Sequence, residues 1–328
     1  MQKIDLKKII IIIGPTASGK SDLAIKIAKD KIEKENQECF IISADSRQIY
    51  KYLDIGSGKI TKEEMGGVTH FGLDVAEPGS THFTAADWLR YTTKKINEII
   101  NENKMPIICG GTGLYIDALL YGIDDNPKPD YIFRKTLENK TTDEIKDIMK
   151  NKLEENDDLD YFYNLNNSEQ NNRNRLIRKL ELLNSGHRIK NTDLDNSKRT
   201  LRYDVEFIIL EPELDILQEK IKLRLEKRLG LNTKKNSINN NAASYACGKE
   251  SINSSPLISE IKDLIENKKV DPKWLMSLGL EYKYVTEYIL GQISYAEMLN
   301  TLNIKIFQYA KRQIKWNRRY KELENKFN

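Results

Sequence analysis

Histidine and cysteine are scarce in this chain, three of each among 328 residues, and their placement excludes more than their number does. His70, His82 and His187 stand far apart, and Cys39, Cys109 and Cys247 show no metal-ligand spacing, so a zinc site does not fit. The odd cysteine count, with Cys39 and Cys109 in apolar strand-like runs, reads as small apolar fillers in a reducing cytoplasm. No apolar run approaches the roughly 20 residues of a membrane span. The opening MQKIDLKK runs straight into an apolar stretch, which leaves no place for a signal peptide. No internal repeat is visible. The expectation is a cytoplasmic protein without a membrane partner, and nothing in the sequence demands more than a monomer.

Against these absences stands IIIIIGPTASGKS, Ile9 to Ser21, which reads as a buried strand, a glycine-rich turn and the start of a helix. Gly14, Gly19, Lys20 and Ser21 fill the fixed positions of the phosphate loop G-x-x-x-x-G-K-S/T, with Pro15, Thr16, Ala17 and Ser18 between them. Backbone N–H groups of such a loop form a concave anion site, reinforced by the helix N-terminus behind it. Lys20 adds a point charge for outer phosphates, and the Ser21 hydroxyl is placed for a magnesium ion. A chance match would lack the five-isoleucine run before the loop and the apolar helix face (Leu23, Ala24, Ile27, Ala28) after it.

Short apolar runs alternate with amphipathic helical patterns through the first third of the chain, which predicts an α/β fold with a parallel sheet. The expected strands are Ile9–Ile13, Phe40–Ser43, Pro106–Cys109 and, later, Val205–Leu210, with a helix over Ala85–Asn101 capped by Thr84. NPKPD marks a boundary, and Tyr131 to Gly186 reads as almost wholly helical. The expected organisation is a phosphate-loop core of residues 1–123 and 201–328 with a helical insertion at 124–200. Eleven of the 24 residues from Asn232 to Ser255 are Asn or Ser, which predicts a flexible surface loop there.

Two further segments end at the same expected sheet edge. In IISADSRQIYKYLDIGSGK, Ile41 to Lys59, Asp45 follows a strand at the carboxyl edge where parallel sheets bind ligands. Its carboxylate can hold magnesium through water, act as a general base, or cap a helix. Ser46, Arg47 and Gln48 follow as a polar cluster, and a Gln amide can pair with an adenine edge. PIICGGTGLYIDALLYG ends a strand in glycines and offers the Thr112 hydroxyl, where a motor-type NTPase would carry a magnesium-binding aspartate. A helix over Leu214–Leu229 carries Leu217, Ile221 and Leu225 on one face and Lys220, Arg224 and Arg228 beside them; an Arg pointing back over the phosphates is the notable reading among solvated ones. Arg173, Arg175, Arg178, Lys179, Arg188 and Lys190 lie against the single acid Glu181. Lys305 to Lys321 holds seven basic residues and no acid, interleaved with Phe307, Tyr309, Trp316 and Tyr320. Charge with interleaved aromatics is either a nucleic-acid footprint or a charged surface over a partly buried aromatic stripe.

Taken in order, GPTASGKS, SADSRQIYKYLDIG, GGTGLYIDALL, NRLIRKLE and YAKRQ resemble the tRNA dimethylallyltransferase (tRNA isopentenyltransferase) family over roughly Ile9 to Tyr320. The resemblance implies a P-loop NTPase-like parallel sheet and transfer of a dimethylallyl group from dimethylallyl diphosphate to the exocyclic amine of the adenosine 3′-adjacent to a tRNA anticodon. It implies Asp45 as general base, Thr112 beside the target adenosine, and Arg224 assisting Lys20, the loop amides and a Ser21-bound Mg2+ at the departing diphosphate. It further implies contacts to the tRNA anticodon stem-loop from Asp45, Ser46, Arg47 and Gln48, from Thr112 and Arg134, and from Asn174, Arg175, Leu176, Ile177 and Arg178. The motif name would otherwise suggest an ATP site; here the loop is expected to bind a leaving group.

The chain departs from the family's commonest pattern at several places. DIGSGK stands for DIGTAK, Arg228 for Met, and LGLEYK (Leu278 to Lys283) for a form with Gly-Tyr-Lys/Arg. Ile306 and Phe307 precede Gln308 where Thr-Arg is frequent, and Trp316 follows Lys315 in place of Thr. No C-terminal zinc finger is present. The competing readings are a phosphate-loop kinase of a small metabolite, a prenyltransferase acting on AMP or ATP, and a non-catalytic RNA-binding module. The last leaves the convergence of Lys20, Asp45 and Thr112 unexplained.

Overall fold

A computed structural model of the chain describes residues 6–79, 83–123, 127, 129–186, 200–231 and 255–321. The Asn/Ser-rich stretch other than Ser255, along with His82, His187, Arg188, Lys190 and Cys247, lies outside them. The isoleucine run forms β1 (Lys8–Ile13), and its five isoleucines are at most 1% exposed. A central parallel strand has no solvent face, so it is continuously apolar instead of alternating. The chain continues through α1 (Lys20–Glu35), β2 (Cys39–Ala44), α2 (Lys62–Met65), β3 (His70–Phe71), α3 (Ala85–Asn101), β4 (Met105–Gly110) and α4 (Gly113–Tyr121). A helical segment follows: α5 (Tyr131–Thr136), α6 (Thr142–Glu154), α7 (Leu159–Tyr163), α8 (Asn167–Gln170) and α9 (Arg173–Asn184). The sheet then gains β5 (Asp204–Ile209), followed by α10 (Leu214–Arg228), α11 (Pro256–Glu266), α12 (Pro272–Leu278), α13 (Leu280–Ile289) and α14 (Tyr295–Asn317).

All strand pairings are parallel, in the order β3-β2-β4-β1-β5. The four strands expected from sequence are present, each within one residue at either end. β3 has two residues, too short to leave a periodic signal. From β1 the chain runs to β2, on the far side of β4, and from β4 it returns to β5 on the far side of β1. The direction of winding therefore reverses between β1 and β4, and the crevice at their carboxyl ends is where such sheets bind ligands. The phosphate loop leaves β1 there, GGTG leaves β4, and Asp45 leaves β2.

Local chemistry sets these elements. Thr84 and Asp87 form a reciprocal capping box at α3, with Thr84 Oγ1 accepting from the Asp87 N–H at 3.2 Å. Trp88, fully buried on α3, donates its indole N–H to the Ser43 carbonyl at 3.0 Å and stacks on Tyr115. β2 and β4 approach so closely at their ends that a Cβ on Gly110 would sit 2.3 Å from the Ala44 carbonyl oxygen. Gly110→Ala is therefore expected to destabilise the protein by about 2 kcal/mol or more, since backbone cannot yield as a side chain does. The midpoint of urea unfolding measures this.

Two compact units result, Met1–Leu120 with Arg202–Asn328, and Tyr121–Leu201. The second has its own core, in which Leu137, Ile145, Met149, Leu153, Tyr161, Phe162 and Leu165 pack with Leu176, Ile177 and Leu180 of α9. This corrects the expectation for Leu176 and Ile177. They are 0% and 4% exposed, so their side chains build the unit's interior and cannot face an RNA. Glu181, also buried, accepts from Arg134 Nε at 2.5 Å, Arg134 Nη2 at 3.0 Å, Arg178 Nη1 at 3.0 Å and the Asp130 N–H at 3.1 Å. Arg173 donates to the carbonyls of Leu137 and Glu138, and Lys179 to the Tyr161 hydroxyl. Much of the basic stretch thus holds the unit together. Asn174 and Arg175 are exposed.

Candidate active site

The phosphate loop bends between β1 and α1, with Gly19 in the left-handed region (φ +86°) as the residue before the helix. Lys20 folds back to donate to the Pro15 carbonyl at 2.6 Å. Its side chain is half-buried between the loop and the sheet edge, and burial pulls its pKa down to about 8, against smaller upward pulls from Cys109 and Asp45. The Thr16 N–H donates at 2.8 Å to Gln313 Oε1 of α14, and Gln313 Nε2 donates at 2.9 Å to the Gly111 carbonyl. One buried side-chain amide therefore ties the loop after β1 to the turn after β4. That is the physical role of the glutamine in AKRQ, which the motif alone does not reveal. Gln313→Leu would strand a backbone donor and a backbone acceptor together, a loss of about 2–4 kcal/mol. Thermal unfolding of the variant checks it.

Beyond β2 no helix follows Asp45. Its Oδ1 accepts the Arg47 N–H at 2.8 Å and the Gln48 N–H at 3.4 Å, closing a turn, so the helix-cap reading fails. Thr112 Oγ1 accepts the Ser46 N–H at 3.1 Å, and the Thr112 N–H donates to the Ala44 carbonyl. Thr112 thus joins the two sheet-edge turns. It is absent from the lining of the cavity they border. Gln48, read as a candidate for an adenine edge, has its amide engaged instead: it meets Ser43 Oγ at 3.1 Å and donates to the Gly58 carbonyl at 3.1 Å. Arg47 reaches the Leu278 carbonyl at 2.6 Å.

The DIGSGK loop is clamped from α11. Glu260 accepts the N–H groups of Asp54, Ile55 and Gly56 at 2.9, 2.5 and 3.0 Å and the Tyr282 hydroxyl at 3.1 Å. From α10, Arg224 comes to the same loop; burial and the neighbouring Arg228 hold its pKa down to about 10. These pieces enclose a cavity of about 480 Å3 lined by Lys20, Ser21, Asp45, Arg224, Tyr309 and Gln313, among others. Cys109 also touches it, but burial pushes its thiol up to about 11, so it carries no thiolate at neutral pH.

The C-terminal basic stretch divides. Arg319 pairs with Asp117 at 2.8 Å and stacks on Trp316, while Arg318 and Lys321 pair with Glu211. Tyr320 is 1% exposed, stacks on Phe207 and donates to Asp117. Trp316 fills the space a Cβ on Gly113 would need. Trp316 and Tyr320 pack inward, which corrects their reading as a stacking platform, while Arg318, Arg319 and Lys321 stay exposed in surface ion pairs. Lys305, Lys311, Arg312 and Lys315 are exposed as well, and Lys305, Tyr309 and Arg312 line the cavity.

A five-stranded parallel sheet whose switch-point crevice joins a phosphate loop with its Lys20, the Arg224 guanidinium and the Asp45 carboxylate defines the class: an α/β enzyme of phosphate-loop architecture. The family model for IPP transferase matches residues 48–234 and 250–320. The chain is 34% identical over 322 residues to a tRNA dimethylallyltransferase of Clostridioides difficile (strain 630), covering 98% of this chain and 91% of that one. A crystal structure of a tRNA isopentenylpyrophosphate transferase from Staphylococcus epidermidis superposes with TM-score 0.60 at 28% identity, covering 95% of this chain and 90% of that one. A eukaryotic dimethylallyltransferase acting on tRNA shares the fold, with TM-score 0.65 at 22% identity over 95% of this chain and 70% of that one. The chain belongs to the IPP transferase family.

Proposed function

We propose that this protein transfers the dimethylallyl group of dimethylallyl diphosphate to the exocyclic N6 amine of the adenosine 3′-adjacent to the anticodon in tRNA, releasing diphosphate. The observation that carries the reading is the meeting of Lys20 and Arg224 with the Asp45 carboxylate in one cavity. The bond between C1 of the prenyl group and the diphosphate oxygen breaks, and the amine nitrogen bonds to C1. That nitrogen's proton passes to Asp45. An adenine amine is a weak nucleophile because its lone pair is delocalised, so a carboxylate at the nitrogen contributes directly. Lys20, Arg224 and the loop amides stabilise charge as it develops on the departing diphosphate.

The Ser21 hydroxyl, at the start of α1 on the cavity wall, is a hard oxygen donor that would help to hold Mg2+. Bound there, the ion would neutralise part of the diphosphate charge. Asp45 to Gln48 and Thr112 form the edge that receives the base, which must leave its stack to enter. Asn174 and Arg175, with Arg134 and Arg178 oriented by Glu181, supply contacts for the anticodon stem-loop. We place the protein in the cytoplasm as a monomer; no helix among the described residues is long and apolar enough to cross a membrane.

Labelled dimethylallyl diphosphate and Mg2+ with unmodified tRNA should yield labelled tRNA. Label on AMP but not on tRNA would place the chain with the adenylate prenyltransferases. Phosphoryl transfer from ATP without prenyl transfer would make it a kinase.

A further inference from the structure

The phosphate loop borders a second cavity, of about 720 Å3, which shares Lys20, Ser21, Gly58 and Arg224 with the first but lacks Asp45. Arg228, one helical turn beyond Arg224, lines the second of these two cavities and not the first. Its side chain is 10% exposed; Nη1 donates to Glu281 Oε1 at 2.7 Å and to the Gly56 carbonyl at 3.3 Å. Its Nη2 is buried with no hydrogen-bond partner. Ser18 Oγ, on the wall of the same cavity, is likewise buried and unpartnered. A buried guanidinium N–H left unpaired costs about 1–3 kcal/mol or more, so an acceptor missing from this site is the economical explanation.

Gly58 shows how closely the arginines converge. A Cβ there would lie 2.0 Å from Arg228 Nη2 and 2.5 Å from Arg224 Nη2, and φ is +62°. Glycine at 58 therefore admits two guanidinium ends to one point. Like charges held together out of water repel; Glu281 pairs with Arg228 and Asp45 acts on Arg224 only as a minor influence. An anion held by both guanidiniums relieves that repulsion.

We propose that Arg228, oriented by Glu281 and admitted by Gly58, binds the outer phosphate of the prenyl diphosphate from the second cavity. Arg224 and Lys20, common to both cavities, then span the two phosphates, and C1 points into the first cavity toward Asp45. This assignment rests on the proposed prenyl transfer for its substrate but not for its anion. It also joins three separate departures of the sequence, Gly58, Arg228 and the glutamate of LGLEYK, into one device.

The test is titration of the full chain with inorganic pyrophosphate and Mg2+ by calorimetry. Arg228→Met should weaken binding about tenfold or more, as expected for loss of a charge-assisted bond. The double variant Arg228→Met/Glu281→Gln removes both buried charges, so it should recover thermal stability yet still bind pyrophosphate weakly. In transfer assays the KM for dimethylallyl diphosphate should rise in the same proportion, with the KM for tRNA unmoved. Wild-type pyrophosphate affinity in the double variant would overturn the proposal, because a purely structural pair predicts that result. If the wild type binds pyrophosphate but prenylates no tRNA, the function is wrong and the anion site stands. If it prenylates tRNA and the double variant is unimpaired, only Arg228's role falls.

Discussion

Asp45→Asn is expected to slow dimethylallyl transfer by about 10²- to 10⁴-fold in single turnover, the range of a positioned general base. The substitution is chosen because the turn should survive it. Asn keeps the side-chain oxygen that accepts the Arg47 and Gln48 N–H groups, so the edge after β2 retains its shape. What is lost is the capacity to take the amine proton. Asp45→Ala removes both functions and should be at least as slow, with added disorder at Ser46 to Gln48. Tying the two effects apart needs the affinity for tRNA as a second readout, and that should move only a few-fold in Asp45→Asn. Normal single-turnover chemistry with a large loss of tRNA affinity would make Asp45 a binding residue and remove it from the proton path.

Much of the fold was legible because parallel strands announce themselves. Ile9–Ile13, and the runs around Ile41 and Ile107, are continuously apolar because both faces are covered. The phosphate loop was legible because its chemistry is local to eight consecutive residues. What stayed hidden was contact between distant residues. Gln313 completes the loop from 297 positions away, and the Asp117 partner of Arg319 lies 202 positions back. A stretch with seven cations and no acid therefore leaves a polyanion surface and a charged surface over buried aromatics both open, and only the fold shows three of the cations paired with Asp117 and Glu211. The same limit applies to Gln48, whose adenine-reading geometry is consumed by Ser43 and Gly58. For Leu176 and Ile177 the signal was available: two apolar residues inside a basic helix more often face a core than a ligand.

Lys20→Met is the second variant for which a large effect is expected, and its value lies in opposite signs. Removing one preorganised cation from a water-poor site should weaken pyrophosphate binding by about 10²- to 10³-fold at neutral pH. Stability should move the other way. In the folded protein burial has lowered the Lys20 pKa from 10.5 to about 8, so below that pH the fold carries an ammonium it would rather shed. Between about 8 and 10.5 the unfolded chain holds a proton that the folded chain has lost, and stability therefore rises with pH across that window. Methionine removes the group, so Lys20→Met should be more stable than wild type at pH 7, with the advantage shrinking as pH climbs toward 10.5. Binding obeys the same proton. Diphosphate selects the ammonium form, so wild-type affinity should fall above pH 8 by up to about tenfold per unit, with proton uptake on binding. Arg224, at about 10, does not begin to contribute until higher pH. Calorimetric titrations with pyrophosphate and Mg2+, in buffers of different ionisation enthalpy, read both the affinity and the proton count. An equal pH slope in Lys20→Met would assign the dependence to the ligand, and Lys20 would then be charged throughout and no part of the pH response.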